Sequence, residues 1–434
     1  MSKDLNINVH HVTRVEGHGN IVVDMKNGVL KTAQLEIVEP PRFFEAMLKG
    51  RNLHEVAIIT SRICGICSLG HQMTSLKATE AALGLEISEQ TEILRKILVH
   101  GATFQSNILH SLFLAAPDFL GVGSVFPLVN THKDVVLAAL RLKRLANDIG
   151  DVISGRAVHP ISCVPGGFTK LPTEKQLIAL KEKIINEGLP DATFVIDVVA
   201  SLAGKIPQFE RETEYISVYN DKEYGLYDGV IRSSDSGDQP VENYLDVTNE
   251  FVVPHSTSKH AKFNRSSYFV GALARFNNSY DLLKKEAKDV AAKLGLSAPN
   301  YNPYMNTVAQ VIEVVHCVVD TLELIDTLLD KGIKNEKPNQ DPTKYGRGIA
   351  TTEVPRGILF HDYTYNRQGS IEKANCIIPT GQNLANIDDD MKKLVPEIIT
   401  ESKEDITLKL EMLVRAYDPC ISCSVHMLDV KFEE

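Results

Sequence analysis

The sequence predicts an α+β fold, mainly helical, in which a bundle of long helices forms the core and small β-sheets lie at its periphery. Apolar residues recur at the three- and four-residue spacing of amphipathic helices over several long segments. Strand-like segments are fewer and are bounded by glycine or Asn-Gly turns. The chain has 434 residues, 43% of them hydrophobic, which is enough for a large core. Because no repeat, low-complexity tract or clear linker divides it, we expect one domain spanning residues 1–434.

The first predicted element is a β-hairpin near the N-terminus. Two β-patterned runs, residues 21–24 and 29–37, flank Asn27-Gly28. Asn-Gly tolerates the positive φ angles of a type I′ turn, so the two runs are expected to pair. A second β-rich or loop-rich stretch runs from about Glu214 to Val253 and is punctuated by glycines.

Most of the remaining chain is predicted to be helical. Ser88 is a candidate N-cap for one long helix, and the apolar pattern repeats over Val135–Ile153. Residues 173–176 form a capping-box pattern, and Gly188 is the expected end of that helix. Residues 306–332 are long and strongly apolar, which predicts a helix at the centre of the bundle.

Charge and composition narrow the class of protein. The formal net charge is −10, which argues against nucleic acid as the main partner. The N-terminal residues lack the apolar run of an export signal, and no apolar stretch is long enough to span a bilayer. Seven cysteines, an odd number, do not suggest a disulfide framework and fit a reducing compartment. We therefore expect a cytoplasmic protein.

Two CxxC pairs carry the most specific chemistry in the sequence. Cys64 and Cys67 lie in RICGIC, and Cys420 and Cys423 lie in DPCISCSVH near the C-terminus. Each CxxC turn directs two sulfurs to one point, so two turns can supply a tetrathiolate site for a soft or borderline metal. A structural zinc site is one interpretation. Zinc ribbons usually pair their cysteines locally, whereas these pairs lie at opposite ends of the chain, which favours a buried redox centre.

These two motifs, in this order, resemble the two ends of the catalytic large subunit of nickel–iron hydrogenases, and the resemblance covers essentially the whole chain. It implies that all four cysteines bind nickel and that Cys67 and Cys423 also bridge to an iron carrying carbon monoxide and cyanide. The implied reaction is reversible heterolytic cleavage of H2 into a hydride and a proton. A proton acceptor must then lie beside the metals. The resemblance assigns that role to the Cys420 thiolate.

The resemblance also implies roles for residues around the metals. Glu16 matches the first carboxylate of the proton relay, although from sequence alone it is more simply a solvated turn residue. Arg356 matches an arginine over the diatomic ligands, against the alternative of a surface turn. Asp118 and Asp418 match carboxylates near the bimetallic site, and either could instead be a capping or turn residue.

Pro379 and Thr380 match the segment that surrounds the cyanides. The family often continues there with Thr-Trp-Asn, whereas this chain has Gly381-Gln382-Asn383, so the surroundings of the cyanides are expected to differ. His71 matches a histidine that hydrogen-bonds the bridging sulfur, but it could be a fifth ligand or a core histidine.

A second metal is implied by three further positions. Glu45, His426 and the main-chain carbonyl of Cys376 match the protein ligands of a magnesium ion in this family. Magnesium favours oxygen ligands, so another divalent ion, such as iron, is an alternative. The family also implies that a protease removes residues 427–434 after nickel insertion; the alternative is a permanent terminal strand.

The expected partners follow from what the chain lacks. Beyond the two CxxC pairs, no further set of four cysteines could hold an iron–sulfur cluster. An iron–sulfur small hydrogenase subunit must therefore accept the electrons, and further flavin or iron–sulfur subunits pass them to NAD(P), a deazaflavin, a disulfide-reducing or a bifurcating partner. The alternatives are a relative of the quinone-site subunit of respiratory complex I, which has lost the four cysteines, and a zinc-stapled structural protein.

Overall fold

The computed structural model of the protein describes residues 4–426. The predicted C-terminal tail, 427–434, lies outside the described residues, and the extent of the single predicted domain stays a prediction. Within 4–426, helices predominate and form the following series. They are α1 (Phe44–Leu48), α2 (Leu53–Thr60), α3 (Ser68–Leu83), α4 (Glu89–Ile108), α5 (Ala116–Phe119), α6 (Leu128–Thr131), α7 (Lys133–Ser154), α8 (Glu174–Lys183), α9 (Leu189–Leu202), α10 (Tyr244–Thr248), α11 (Ala272–Ser279), α12 (Lys285–Lys293), α13 (Asn306–Lys331), α14 (Pro379–Ile398), α15 (Lys403–Ala416) and α16 (Ile421–Ser424).

The described strands form four small sheets. Their bounds are β1 (Leu5–Val9), β2 (Gly19–Lys26), β3 (Val29–Ile37), β4 (Cys163–Val164), β5 (Gly167–Phe168), β6 (Glu214–Tyr219), β7 (Val230–Ser233), β8 (Gly237–Gln239), β9 (Tyr268–Phe269), β10 (Arg347–Val354), β11 (Gly357–Tyr365) and β12 (Ile371–Ile377). The orders are β1-β2-β3, β4-β5, β8-β7-β6-β9 and β10-β11-β12, and only the β6–β9 pair is parallel.

Helix α13 is the centre of the bundle. Every residue from Asn306 to Val318 is buried, which requires packing on all sides rather than on one amphipathic stripe. Helices α4, α11 and α12 pack against it, and α7 packs against α4. The α+β, mainly helical class and the central position of this helix, both predicted from the sequence, are confirmed.

The turn and the helix N-caps predicted from short sequence patterns are present in the structure. Asn27 and Gly28 adopt φ angles of 53° and 74°, and β2 and β3 pair on either side of them, as the Asn-Gly pattern predicts. Ser88 caps α4 by accepting a hydrogen bond from the Thr91 amide, and Thr173 forms the predicted capping box with Gln176.

The predicted helix end at Gly188 is wrong. The chain continues as a π-helical turn over Ile184–Gly188 and directly into α9. Gly188 has helical angles, and a Cβ there would lie 2.5 Å from Leu145 Cδ2 on α7. The glycine therefore lies where α7 approaches closely, and it does not mark a chain reversal.

Helix α3 and the hairpin of β10 and β11, which position the candidate site, were not predicted. Helix α3 is almost entirely buried, and it packs across β10 and β11. The contact is close because Gly70 faces Val354, where a Cβ would come within 2.2 Å of the valine Cγ1. Since α3 begins directly after Cys67, this packing determines where that cysteine lies relative to the β10–β11 turn.

Candidate metal centre

The four CxxC cysteines lie together although they come from opposite ends of the chain. Cys64 and Cys67 occupy the turn between α2 and α3, whereas Cys420 directly precedes the short helix α16 and Cys423 lies within it. All four sulfurs lie within 4.8 Å of one another, and the Cys64 and Cys420 sulfurs are 3.6 Å apart. Each cysteine is at most 5% exposed. This geometry can hold a soft or borderline metal in a thiolate cage that excludes bulk water.

Local hydrogen bonds hold both turns in shape. The Cys67 amide donates to the Cys64 sulfur at 3.1 Å, and the Cys423 amide donates to the Cys420 carbonyl at 3.1 Å. The Cys420 amide donates to Thr380 Oγ1 at 3.0 Å, which fixes the second pair to the start of α14. Pro379, the first residue of α14, is also buried there.

The thiols differ strongly in acidity. Hydrogen bonds from Cys420, Cys423 and Cys64 hold the pKa of the Cys67 thiol well below its usual range, despite burial. By contrast, burial raises the pKa of Cys163, outside the cluster, to about 12. Within the cluster, hydrogen bonds with Cys420, Cys64 and Cys67, together with burial, raise the pKa of Cys423 well above its usual range, so the four thiols lose their protons unequally. Thiolate is the form that binds metals, and Cys67 is the thiol of the cluster that forms it most readily.

Arg356 lies at the tip of the two-residue turn between β10 and β11, next to the thiols. It is 4% exposed, so the surface-turn interpretation is wrong. Its Nε donates to the Asp418 carbonyl at 2.6 Å, and its Nη2 donates to Asp418 Oδ1 at 2.9 Å. Although burial opposes it, Asp418 and the thiols of Cys420 and Cys67 hold the pKa of Arg356 well above its usual range.

The remaining guanidinium nitrogen, Arg356 Nη1, is buried and has no hydrogen-bond partner within residues 4–426. A buried unpaired donor is costly and calls for an acceptor. An acceptor group bound among the thiols would satisfy it, so the donor set fits a metal that carries its own hydrogen-bond-accepting ligands. Asp418 itself is held in the left-handed region, with φ of 51°, by Arg356 and by Gln310 Nε2 at 3.2 Å.

Glu16 reaches the cysteine cluster from the loop between β1 and β2. Its Oε2 accepts from Cys420 Sγ at 3.2 Å and from the Ser422 amide at 3.1 Å. Its main chain pairs with the C-terminal segment, because the Ile421 amide donates to the Glu16 carbonyl at 2.9 Å. Gly17 permits this approach: it has φ of 86°, and a Cβ would lie 2.7 Å from the Ile421 Cβ. The carboxylate is therefore in direct contact with a thiol and is not a freely solvated turn residue.

His71 belongs to a polar ladder between α3 and β11. The Nδ1 of His71 lies 3.4 Å from His361 Nε2. One helical turn further along α3, Ser75 Oγ accepts a hydrogen bond of 3.1 Å from the Tyr363 hydroxyl. After another turn, the hydroxyls of Thr79 and Tyr365 are hydrogen-bonded at 3.1 Å. Four residues of helix rise by about 6 Å and two residues of strand by about 6.6 Å, so the two series stay in register. The ladder explains why His71 is oriented as it is.

The other ring nitrogen of His71, Nε2, has no partner at hydrogen-bonding distance among residues 4–426. The ring nevertheless helps to lower the pKa of Cys67, after the contributions of the other cysteines. Burial, together with His71, lowers the pKa of His361 well below its usual range, so that ring is neutral. His361, Tyr363 and Tyr365 were missed in the sequence, although their two-residue spacing on one strand face was a detectable signal.

Asp118 contacts two arginines and, in the described part of the chain, does not contact the thiol cluster directly. Both of its oxygens bond Arg415, at 2.7 and 3.0 Å, and Oδ1 also bonds Arg14. Within residues 4–426, no hydrogen bond or ion pair joins it to the four cysteines. Since Arg14 precedes Glu16 and Arg415 precedes Cys420, Asp118 ties together the two segments that form the site.

The positions proposed for a second metal also come together. Glu45 Oε1 lies 3.1 Å from His426 Nδ1, and the Cys376 amide donates to the same oxygen at 3.0 Å. Glu250, which the sequence analysis missed, lies 3.2 Å from His426 Nε2. Although burial opposes it, hydrogen bonds to Glu250 and Glu45 raise the pKa of His426 to about 9. One buried and one half-buried carboxylate around one imidazole fit a hard or borderline cation, which would take the place of the histidine proton.

Comparisons with known proteins agree with this geometry. The family described as nickel-dependent hydrogenase matches residues 42–131 and 205–426, and a second family, described as HoxL-like, matches residues 6–39. The alpha subunit of sulfhydrogenase 1 from Pyrococcus furiosus is 36% identical over 98% of both chains. The corresponding chain of an F420-non-reducing hydrogenase from Methanothermobacter thermautotrophicus is 32% identical over 96% of this chain and 94% of its own.

Among solved structures, an NAD+-reducing [NiFe]-hydrogenase in the H2-reduced state superposes with a TM-score of 0.87 and 26% identity, covering 97% of this chain and 99% of its own. A [NiFeSe] hydrogenase from Desulfovibrio vulgaris Hildenborough shares the fold, with a TM-score of 0.74 and 20% identity over 98% of this chain and 100% of its own. Within residues 4–426, the helices are all too short or too polar to cross a membrane.

The two alternative identities lose their support. A zinc-stapled structural protein would not be expected to match a hydrogenase family over most of its length, and a quinone-site relative would not retain the four clustered thiols. The match covers more than half of the chain, and the relative from Pyrococcus furiosus is aligned almost end to end. The chain therefore belongs to the nickel-dependent hydrogenase family, as a catalytic large subunit of the nickel–iron type.

Proposed function

We propose that this subunit cleaves H2 reversibly and heterolytically at a nickel–iron centre with carbon monoxide and cyanide ligands, and passes the electrons to an iron–sulfur small subunit. The observation that carries the proposal is the contact between Cys420 Sγ and Glu16 Oε2, 3.2 Å apart, within a cluster of four buried thiols. Such an arrangement places a proton acceptor beside a metal site, which heterolysis requires.

In this proposal Cys64, Cys67, Cys420 and Cys423 would hold the nickel, and Cys67 and Cys423 would also hold the iron. When bound, the bimetallic centre supplies the heterolytic cleavage of dihydrogen. The lowered pKa of Cys67 supports its role as a ligand, because thiolate is the form of cysteine that binds metals.

Arg356, Pro379 and Thr380 are proposed to surround the diatomic ligands. The unpaired Nη1 of Arg356 would be available to donate to a cyanide nitrogen, while Asp418 holds the other two guanidinium nitrogens. Asp418 acts through Arg356 and is thus a positioning residue. The chain differs from the common family pattern after Thr380, but Gln382 and Asn383 are buried and bonded to Ile358 and Val270, so they support the backbone there.

The proton is proposed to move from Cys420 to Glu16. The Ser422 amide holds the Glu16 carboxylate toward the sulfur, and Glu16 is only half-buried, so its other side reaches toward solvent. Asp118 is a positioning residue in this scheme. Through Arg14 and Arg415 it holds the Glu16 loop and the C-terminal segment at a constant separation.

Magnesium or another divalent ion is proposed to bind Glu45, His426 and the main-chain carbonyl of Cys376. Glu250 is an added acidic neighbour, because it contacts the second nitrogen of the His426 ring. The ion would fix the last described residue of the chain, three positions after Cys423. Its proposed role is therefore structural.

The electron path leaves this chain. Burial raises the pKa of Cys317 and Cys376 well above the usual range, as it does for Cys163, and the three do not cluster with one another in the described part of the chain. They are unsuited to an iron–sulfur cluster, which needs about four thiolates. We propose that an iron–sulfur small hydrogenase subunit is the direct acceptor, with further flavin or iron–sulfur subunits beyond it, a soluble terminal acceptor and a cytoplasmic location.

Metal analysis tests the proposal directly. The complex purified without oxygen is expected to contain nickel and iron, and its infrared spectrum should show carbon monoxide and cyanide stretches. Zinc in place of nickel and iron would overturn the proposal. Nickel without the diatomic stretches would overturn the assignment of the cofactor and of the Arg356 role.

A further inference from the structure

A second group of potential metal ligands lies outside the nickel site. His255 and His260 belong to the loop after α10, and Asp388 lies on α14. One ligand atom from each residue lies within 4.8 Å of the other two, and His255 Nε2 is 3.0 Å from Asp388 Oδ2. The two imidazole rings meet edge to face, with centroids 5.4 Å apart.

The surroundings of His260 are hard to explain without a bound group. The residue is 3% exposed, and its Nε2 is buried without a hydrogen-bond partner among residues 4–426. A buried polar atom that makes no hydrogen bond destabilises a fold by about 1–3 kcal/mol. A bound ion or an ordered water would satisfy such a group, and the neighbouring His255 and Asp388 supply the further ligands that an ion needs.

We propose that His255, His260 and Asp388 bind a divalent transition-metal ion, with zinc as the best-suited ion. Two imidazoles and one carboxylate are a common zinc ligand set, in which water takes the fourth position. The His255 side chain is 19% exposed, so water can reach the site from that side. Magnesium is disfavoured because it prefers oxygen ligands.

The observed spacing is close to that of a metal site. Ligand atoms at about 2.0–2.1 Å from a tetrahedral ion lie roughly 3.3 Å from one another. The His255–Asp388 pair is already at 3.0 Å, and the upper limit of 4.8 Å for the other pairs requires closure by at most about 1.5 Å. Rotation of the half-buried His255 ring can supply part of that movement.

Such an ion would stabilise the position of the loop that contains the two histidines. The loop that contains both histidines covers the C-terminal segment: Ser258 Oγ donates to the Ser424 carbonyl at 3.0 Å, and Glu250 contacts His426. Asp388 accepts from the Leu35 amide at 2.8 Å, so a metal there would tie this loop to both α14 and β3. It would thereby hold the segment containing Cys423 in place without touching the nickel site.

The test uses the complete hydrogenase complex with its nickel centre in place. Zinc is removed with a chelator, added back, and counted per chain together with nickel and iron. The variants are His255→Gln, Asp388→Asn and His260→Gln, and His54→Gln, at an exposed histidine, is the matched control. X-ray absorption at the zinc edge identifies the ligand atoms.

About one equivalent of zinc per chain is expected in the native complex, with nitrogen and oxygen ligands at about 2.0–2.1 Å. His255→Gln and Asp388→Asn should weaken zinc binding at least about tenfold, whereas His54→Gln should not change it. Removing the zinc should speed trypsin cleavage at the exposed Lys262 while nickel and iron stay bound.

Three results would overturn the proposal. They are sulfur ligands at about 2.3 Å, which would place the zinc at cysteines; equal zinc affinity in His255→Gln and the control; and no zinc bound after addition at micromolar concentration. Because nickel and iron are counted in the same samples, failure of this site is distinguishable from failure of the hydrogenase assignment.

Discussion

Replacing Glu16 by glutamine tests the proposed proton transfer while leaving the shape of the site unchanged. Glutamine has the same length, so its amide oxygen can still accept the Ser422 amide hydrogen bond, 3.1 Å in the native protein. That amide oxygen, however, is far too weak a base to take up the proton of Cys420. The folded state and the metals should therefore be retained while the proton path is lost.

The expected size of the effect follows from the direct contact of 3.2 Å between the sulfur and the carboxylate. A positioned acid or base contributes about 10²–10⁴-fold in rate, which corresponds to about 3–5.5 kcal/mol of barrier. Glu16→Asp withdraws the carboxylate by about 1.5 Å, to roughly 4.7 Å from the sulfur, where a water must bridge the gap. Activity should then fall between the native and glutamine values.

Exchange of H2 with deuterated water is the informative assay, because it requires cleavage and proton transfer but no electron acceptor. It is measured beside H2 oxidation and nickel content for Glu16→Gln and Glu16→Asp. Glu39→Gln is the matched control, since Glu39 bonds the His18 amide in the same loop but contacts no thiol. An exchange rate within twofold of native, in a glutamine variant with full nickel, would refute the role of Glu16.

Four further outcomes are expected. Cys64→Ser should abolish nickel binding and activity, because a hard oxygen replaces a soft thiolate; nickel retained at native stoichiometry would contradict this. Gly17→Ala should lower nickel retention, since its Cβ would clash with Ile421; an unchanged metal content would refute the argument. Burial lowers the pKa of His316 to about 3, so the unfolded chain takes up a proton first as pH falls from about 6.5, and stability decreases. Between about pH 7 and pH 4.5 the free energy of unfolding of His316→Gln, measured with urea, should fall by about 2–3 kcal/mol less than that of the native protein. Parallel plots of unfolding free energy against pH for the two proteins would contradict this. Mature nickel-loaded protein is expected to lack residues 427–434 by intact mass, and an active full-length chain would disprove their removal.

Local patterns predicted more of the fold than non-local ones. The Asn27-Gly28 hairpin and the Ser88 cap follow from the conformational preferences of a few adjacent residues, and both are present. Gly188 misled the prediction because its role is set by Leu145, distant in sequence. The sheet of β10 to β12 was not predicted, since its pairing depends on packing against α3.

The candidate site shows the same division. The cysteines were identified because two residues between metal ligands is a specific spacing, and the structure brings all four together. Glu250 and His361 were missed, because each acquires its significance from a contact with a residue at a different place in the chain. Resemblance to a family supplied Glu16 and Arg356, whose types and neighbours are ordinary for exposed turns.

The separation of Cys64 from Cys420 by 356 residues has a consequence for how the protein is made. At a synthesis rate of about 5–20 residues per second, the first pair of thiols exists for roughly 20–70 s before the second pair is translated. While the intervening chain is unfolded, closing a loop of this length opposes docking of the C-terminal segment by about 5 kcal/mol of chain entropy. Few main-chain hydrogen bonds, such as those of Ile421 with Glu16 and of Arg42 with Val425, offset it, at about 1 kcal/mol each. The two halves of the thiol cluster therefore cannot meet until the second pair has been translated, which leaves an interval in which the first pair lacks its partners.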